Sequence, residues 1–209
     1  GCEAARAFIE RNMASVLEDL EGRVDLILDG GPCPIGVEST VLDLLSDPPV
    51  ILRPGGLPLE ALQQVSPSIT VRTADFSAEQ AGTASPGMLL KHYSPTARLL
   101  VFNGEPLPVC RRMQAEVMEL TRQGLRVGVM VSDEEIDCFV SLPVMVQNLG
   151  SRAQLEQIAA NLFSAMRHLD RAASEVILVG TFSLEGLGLA IRDRLIRAAE
   201  GRVIEVDQE

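Results

Sequence analysis

The sequence predicts an α/β protein in two parts, a mixed-sheet amino-terminal portion and a parallel-sheet carboxyl-terminal domain, joined by an extended linker. Three observations lead there. Short apolar runs with little helix between them fill residues 22–72, periodicity is lost between about 73 and 97, and strand-like and helix-like runs alternate beyond it.

In the first part, Ala5, Phe8, Ile9, Met13, Val16, Leu17 and Leu20 recur at the spacing of one helical face, and Gly22 ends that helix. A short strand is expected over 24–28, then a Gly/Pro turn, a strand over 39–44 and another over 50–53. Such strands build a mixed or antiparallel sheet. In the linker, Pro86 and Pro95 restrict φ and remove amide donors, so the chain should run extended across a surface. Next come a strand over 99–102, a helix facing inward with Val109, Met113, Val117 and Leu120, and strands over 126–131 and 144–146. A second helix carries Leu155, Ile158, Ala159, Leu162, Phe163, Met166 and Leu169 on one stripe, with Ser151 as its expected cap. A buried strand over 176–179 and a helix over 189–199 finish a β-α-β series, which implies a parallel sheet covered by helices.

Composition narrows the function. At 46% hydrophobic and 22% charged, the 209 residues are ordinary globular material. With 3% aromatics, no Trp and one Tyr, the chain lacks the rings that single-stranded nucleic acid stacks upon. A net charge of −11 argues against direct binding of a tRNA body, because phosphates need a basic surface. A small anionic nucleotide remains open, since a few placed cations and amides suffice. Cys2, Cys33, Cys110 and Cys138 form no Cys-x-x-Cys pair, and His92 and His168 stand alone, so no zinc framework can be written. Scattered thiols, no apolar stretch near 20 residues and no leader pattern give the expectation of a soluble, cytoplasmic protein.

One constellation could carry chemistry. Asp29-Gly30-Gly31 leads through a Gly/Pro turn to Gly36-Val37-Glu38-Ser39-Thr40-Val41, and Arg53-Pro54-Gly55-Gly56 follows after a hairpin-like gap. Glycines let backbone approach a ligand, Ser39 offers a hydroxyl, and Arg53 supplies a planar donor fork suited to phosphate. On residue chemistry alone the same pattern is also a Gly/Pro turn, a strand Ser and a surface Arg, and no single element is diagnostic.

These residues closely resemble the latter half of the YrdC-like domain, whose pattern there is Asp-Gly-Gly, Gly-Val-Glu-Ser-Thr-Val and Arg-Pro-Gly. Ser85-Pro86-Gly87-Met88 with Lys91-His92-Tyr93-Ser94-Pro95 resembles the linker of the two-domain threonylcarbamoyl-AMP synthases. Gly186-Leu187-Gly188-Leu189-Ala190-Ile191, with Arg194-Leu195 and Ala198-Ala199, resembles the end of their last domain. The blocks stand in the family's order across about 16–206. The resemblance implies part of a YrdC-like catalytic domain over 1–72, a linker over the active site at 73–97 and a Rossmann-like α/β domain over 98–209. It also implies a reaction. L-Threonine and bicarbonate form a carbamate, whose oxygen attacks the α-phosphorus of ATP to give threonylcarbamoyl-AMP and pyrophosphate, for use by tRNA threonylcarbamoyl-transfer machinery.

Carried over by position, Ser39 contacts threonine, Arg53 binds the nucleotide phosphates, His92 and Tyr93 close over ATP, and Ser85, Pro86, Gly87 and Met88 anchor that lid. Mg2+ is expected with ATP, with no protein ligand assigned to it, and no residue is given a catalytic role. The family's Lys-x-Arg phosphate-binding motif and its Ser-x-Asn segment have no counterpart here. The expectation is therefore an incomplete, inactive fragment with exposed sheet edges. Two other readings stay open: a nucleotide-binding regulatory module, favoured by the intact alternation after residue 97, and an RNA-binding accessory protein, disfavoured by charge. Gly186-x-Gly188 lacks the third glycine of a dinucleotide fingerprint and reads as tight helix packing. His168 reads as a surface or helix-end residue, and Asp133, Glu134, Glu135 and Asp137 as a solvated loop.

Overall fold

A computed structural model describes residues 22–28, 31, 35–72 and 95–207. The helix expected over 5–20 and the linker residues Ser85, Pro86, Gly87, Met88, His92 and Tyr93 lie outside these.

The amino-terminal part is a small mixed sheet. Strand β1 (Val41–Asp43) pairs antiparallel with β2 (Val50–Arg53), and β3 (Thr70–Val71) joins β2 in parallel after the short helix α1 (Leu59–Gln63). The β1–β2 connection is organised by Asp43, which accepts the Leu45 amide (2.9 Å) and the Ser46 hydroxyl (2.6 Å). The Ser46 hydroxyl, followed by the Leu45 amide, holds its carboxyl below the usual range. Residues 24–28 form no strand. Val24, Leu26 and Leu28 are exposed, and no described strand pairs with them. Apolar residues make a strand only where a neighbouring backbone completes the ladder.

Beyond residue 97 a five-stranded parallel sheet has the order β6-β5-β7-β4-β8, from β4 (Arg98–Asn103), β5 (Val127–Val131), β6 (Met145–Asn148), β7 (Val176–Gly180) and β8 (Val203–Glu205). Helices cover both faces, so alternate residues of one strand serve two cores. Leu99 and Val101 of β4, with Ile177 and Val179 of β7, meet α3 (Leu155–Arg171) and α4 (Gly188–Ala198). Leu100, Phe102, Val176 and Leu178 face α2 (Pro106–Arg122) on the other side. Double-sided burial explains why the central strands are runs of Val, Ile and Leu rather than apolar/polar alternations.

Two sequence expectations are corrected here. Asp133–Cys138 is a 3-10 helix rather than a loop, with Asp133, Glu134 and Asp137 exposed as expected but Glu135 buried, where it accepts both the Ser132 amide and hydroxyl (3.1 and 2.9 Å). Ser-x-x-Glu is the capping-box spacing, so the order was written locally. Ser151 does not cap α3. Its hydroxyl accepts the Ala153 amide (3.2 Å) and donates to Glu134 (2.6 Å), and the helix starts after Gln154, which makes no side-chain cap bond.

Candidate functional site

The segment 36–40 forms a strap between the two parts of the protein. Gly36 has φ +76°, and a Cβ there would run into the Ala160 backbone of α3, so glycine alone permits this approach. The next residue, Val37, is buried in the core shared by α3, α4 and the sheet. The strap is then cross-tied to residues 53–57. The Gly56 amide donates to the Glu38 carbonyl (2.8 Å), and the Thr40 hydroxyl donates to the Leu57 carbonyl (2.6 Å) while accepting the Leu57 amide (3.1 Å). A Cβ on Gly55 would collide with the Glu38 carbonyl and Ser39 backbone.

This lacing brings Ser39 and Arg53 together. The Arg53 guanidinium donates through Nη2 to the Ser39 carbonyl at 3.0 Å, with Ser39 exposed and Arg53 half-buried. A cation and a hydroxyl-bearing residue thus share one backbone platform, an arrangement able to receive an anion beside a polar ligand. His92 and Tyr93 lie outside the described residues.

Sequence reasoning gave no role to the groups beneath the platform. Arg194 of α4 is fully buried and reaches Glu38 through Nε (2.6 Å), the Pro54 carbonyl through Nη2 (3.1 Å) and Asp193 through Nη1 (2.6 Å). Asp193 also takes Arg197 Nε (2.9 Å), and the Gly186 amide donates to Glu60 of α1 (3.3 Å). Both Glu38 and Arg194 sat inside the quoted motifs. What the sequence lacked was a reason to pair residues 156 positions apart.

A second polar cluster occupies the carboxyl edge of the parallel sheet, where ligands of open α/β folds bind. Its groups are engaged with one another. Thr181 Oγ1 donates to Asn103 (3.0 Å), and Arg152 pairs with Glu135 (2.7 Å), donates to the Thr181 carbonyl (3.2 Å) and lies 4.9 Å over the Phe182 ring. Burial pushes the Glu134 carboxyl up, but the Ser151 hydroxyl and Arg152 amide outweigh it and hold it at about 2. Nearby, burial and then Cys138 push the Cys110 thiol up. A Cβ on Gly188 would collide with the Ser183 carbonyl of the loop that leads into α4, whereas a Cβ on Gly186 would meet nothing, and His168 is exposed in the last turn of α3. Among the described residues no group of three or more His, Cys, Asp or Glu could hold a metal ion, and no helix is long and apolar enough to cross a membrane.

Comparison with known proteins places this geometry in context. Residues 57–200 match the family described as "Threonylcarbamoyl-AMP synthase, C-terminal domain", and residues 6–55 match one described as "Telomere recombination". A threonylcarbamoyl-AMP synthase of Bacillus subtilis is 42% identical over 189 residues, covering 90% of this chain and 53% of the relative. A crystal structure of Pyrococcus abyssi Sua5 complexed with L-threonine superposes with TM-score 0.84 at 39% identity, over 94% of this chain and 56% of that one. A variant of the same protein, with an adjacent His and Tyr replaced by alanine, superposes with TM-score 0.82 at 39% identity, over 94% and 54%. The chain spans about half the length of the curated relatives it matches.

Proposed function

The chain belongs to the threonylcarbamoyl-AMP synthase family, and from that premise we propose that it supplies the threonine and nucleotide-phosphate side of an enzyme making threonylcarbamoyl-AMP from L-threonine, bicarbonate and ATP. One observation carries the reading: Arg53 and Ser39 are joined at 3.0 Å on a platform laced by the Gly36-to-Thr40 strap. In this reading the carbamate oxygen of carboxylated threonine attacks the α-phosphorus of ATP, and pyrophosphate leaves. Arg53 spreads positive charge over phosphate oxygens, while the Ser39 hydroxyl orients threonine. Magnesium comes bound to the ATP phosphates. In this reading His92 and Tyr93, the one adjacent His-Tyr pair in this sequence, close over the nucleotide. The product passes, in the cytoplasm, to the machinery that modifies tRNA.

The test is a titration of the 209-residue chain with L-threonine and with ATP–Mg2+, followed by amide resonances. Shifts at 36–57, with ATP binding weakened at least about tenfold by Arg53→Ala and threonine binding by Ser39→Ala, are expected. Shifts confined to the carboxyl ends of β4 and β7 would transfer the site to the parallel sheet and favour a nucleotide-binding module. No binding of either ligand overturns the reading.

A further inference from the structure

Building on that reading of the platform, we propose that Arg194 is a positioning residue: α4 of the carboxyl-terminal domain holds Ser39 and Arg53 in register through this one guanidinium. Its contacts single out the flanks of the two ligand candidates. Glu38, bonded at 2.6 Å, immediately precedes Ser39, and Pro54, whose carbonyl is bonded at 3.1 Å, immediately follows Arg53. One rigid planar fork therefore spans the strap and the 53–57 loop, with a fixed geometry that the compact charge of an ammonium does not reproduce.

Burial strengthens the inference. A guanidinium with no solvent-exposed surface is tolerated only where acceptors replace water, and this one finds them on the strap, on the 53–57 loop and on its own helix. The fork is itself fixed from behind. Asp193 binds both Arg194 (2.6 Å) and Arg197 (2.9 Å), and α4 begins at Gly188, packed on the Ser183 carbonyl. The platform has little apolar burial of its own, so its geometry is set from the other domain. The carboxyl-terminal domain thereby acquires a function at the candidate site without contacting a ligand.

The experiment uses the full chain carrying Arg194→Met, Arg194→Lys and Glu38→Gln, with two readouts. Hydrogen exchange reads the Gly56 and Leu57 amides, bonded to the Glu38 carbonyl and Thr40 hydroxyl, against the β4 and β7 amides. Titration reads affinity for ATP–Mg2+. Arg194→Met is expected to speed exchange at Gly56 and Leu57 at least about tenfold and to weaken ATP at least about tenfold, with β4 and β7 unchanged. Arg194→Lys, which keeps the charge near Glu38 but loses the second arm, should fall between. Wild-type exchange at Gly56 and Leu57 in Arg194→Met overturns the proposal, as does faster exchange with unaltered ATP affinity. If Arg194→Met loses protection in β4 and β7 as well, Glu38→Gln decides by the same two criteria. A wild-type chain that binds no ATP refutes the nucleotide site itself, and the exchange readout then still decides whether Arg194 fixes the platform.

Discussion

Residues 98–207 and residues 35–72 are folded by different means. The first region buries both faces of a five-stranded sheet beneath three helices, whereas the described residues of the second contribute only Val37, Ile51 and Ile69 to the buried hydrophobic set. Leu44, Leu45 and Val65 stand 73%, 98% and 86% exposed in that second region. Ser39 and Arg53 are therefore carried by the part with the smaller core. Rigidity there is imported, through Gly36 on α3, Val37 in the shared core, and the Arg194 fork. A residue-number boundary near 97 separates two patterns of sequence, but Val37 and Arg194 cross it in packing.

Phe102→Ala is the sharpest way to break this contrast, because Phe102 is fully buried between β4 and α2. Truncating a core Phe costs about 3–5 kcal/mol, by lost transfer energy and an incompletely collapsed cavity. Urea unfolding should lose that amount globally, with the strap and the parallel sheet melting together. Strap melting that survives loss of the parallel sheet would mean that residues 35–72 hold themselves.

Gly36→Ala should give a smaller and more local loss. The added Cβ meets the Ala160 backbone and must be carried at φ +76°. Overpacking of this kind costs about 1–3 kcal/mol, and the strap can relieve it by lifting from α3. The expected result is faster hydrogen exchange at Gly56 and Leu57 while β4 and β7 amides keep their protection. Equal loss in both places would make the strap part of the main core rather than a guest upon it.

Legibility followed the same divide. Continuous apolar runs located β4, β5 and β7, and helical spacing located α2 and α3, because each is long and buried, so its apolar pattern records its packing. The strand expected over 24–28 failed for the opposite reason: its short apolar run needs a partner that no described strand supplies. Strands β3 and β8, of two and three residues, are too short to hold a period. The platform of the candidate site was legible through Ser39 and Arg53, whose motifs include glycines, Gly36 and Gly55, that close approach requires. Arg194 was not, because an ion pair across 156 residues leaves no local spacing to read. Ser151 was misassigned as a cap because Ser-x-x-x before an apolar stripe describes both a cap and the turn that precedes one.

The smallest effect belongs to the polar rim of the larger region. Glu134 accepts the Ser151 hydroxyl (2.6 Å) and the Arg152 amide (3.1 Å), tying the 3-10 helix to the approach to α3. Its carboxyl is lowered from an ordinary 4.5 to about 2, so the folded state binds its proton less readily than the unfolded one. The stabilisation is therefore complete above about pH 4.5 and is lost as pH falls towards 2. Glu134 is exposed, and screening keeps the contribution below about 1 kcal/mol. Glu134→Gln should accordingly be slightly less stable than wild type at pH 7, with the gap closing between pH 4.5 and 2 in parallel urea titrations. A gap that persists unchanged to pH 2 would assign the effect to shape rather than charge. A gap as large as that of Phe102→Ala would mean that polar contacts, and not the two apolar layers, hold the parallel sheet.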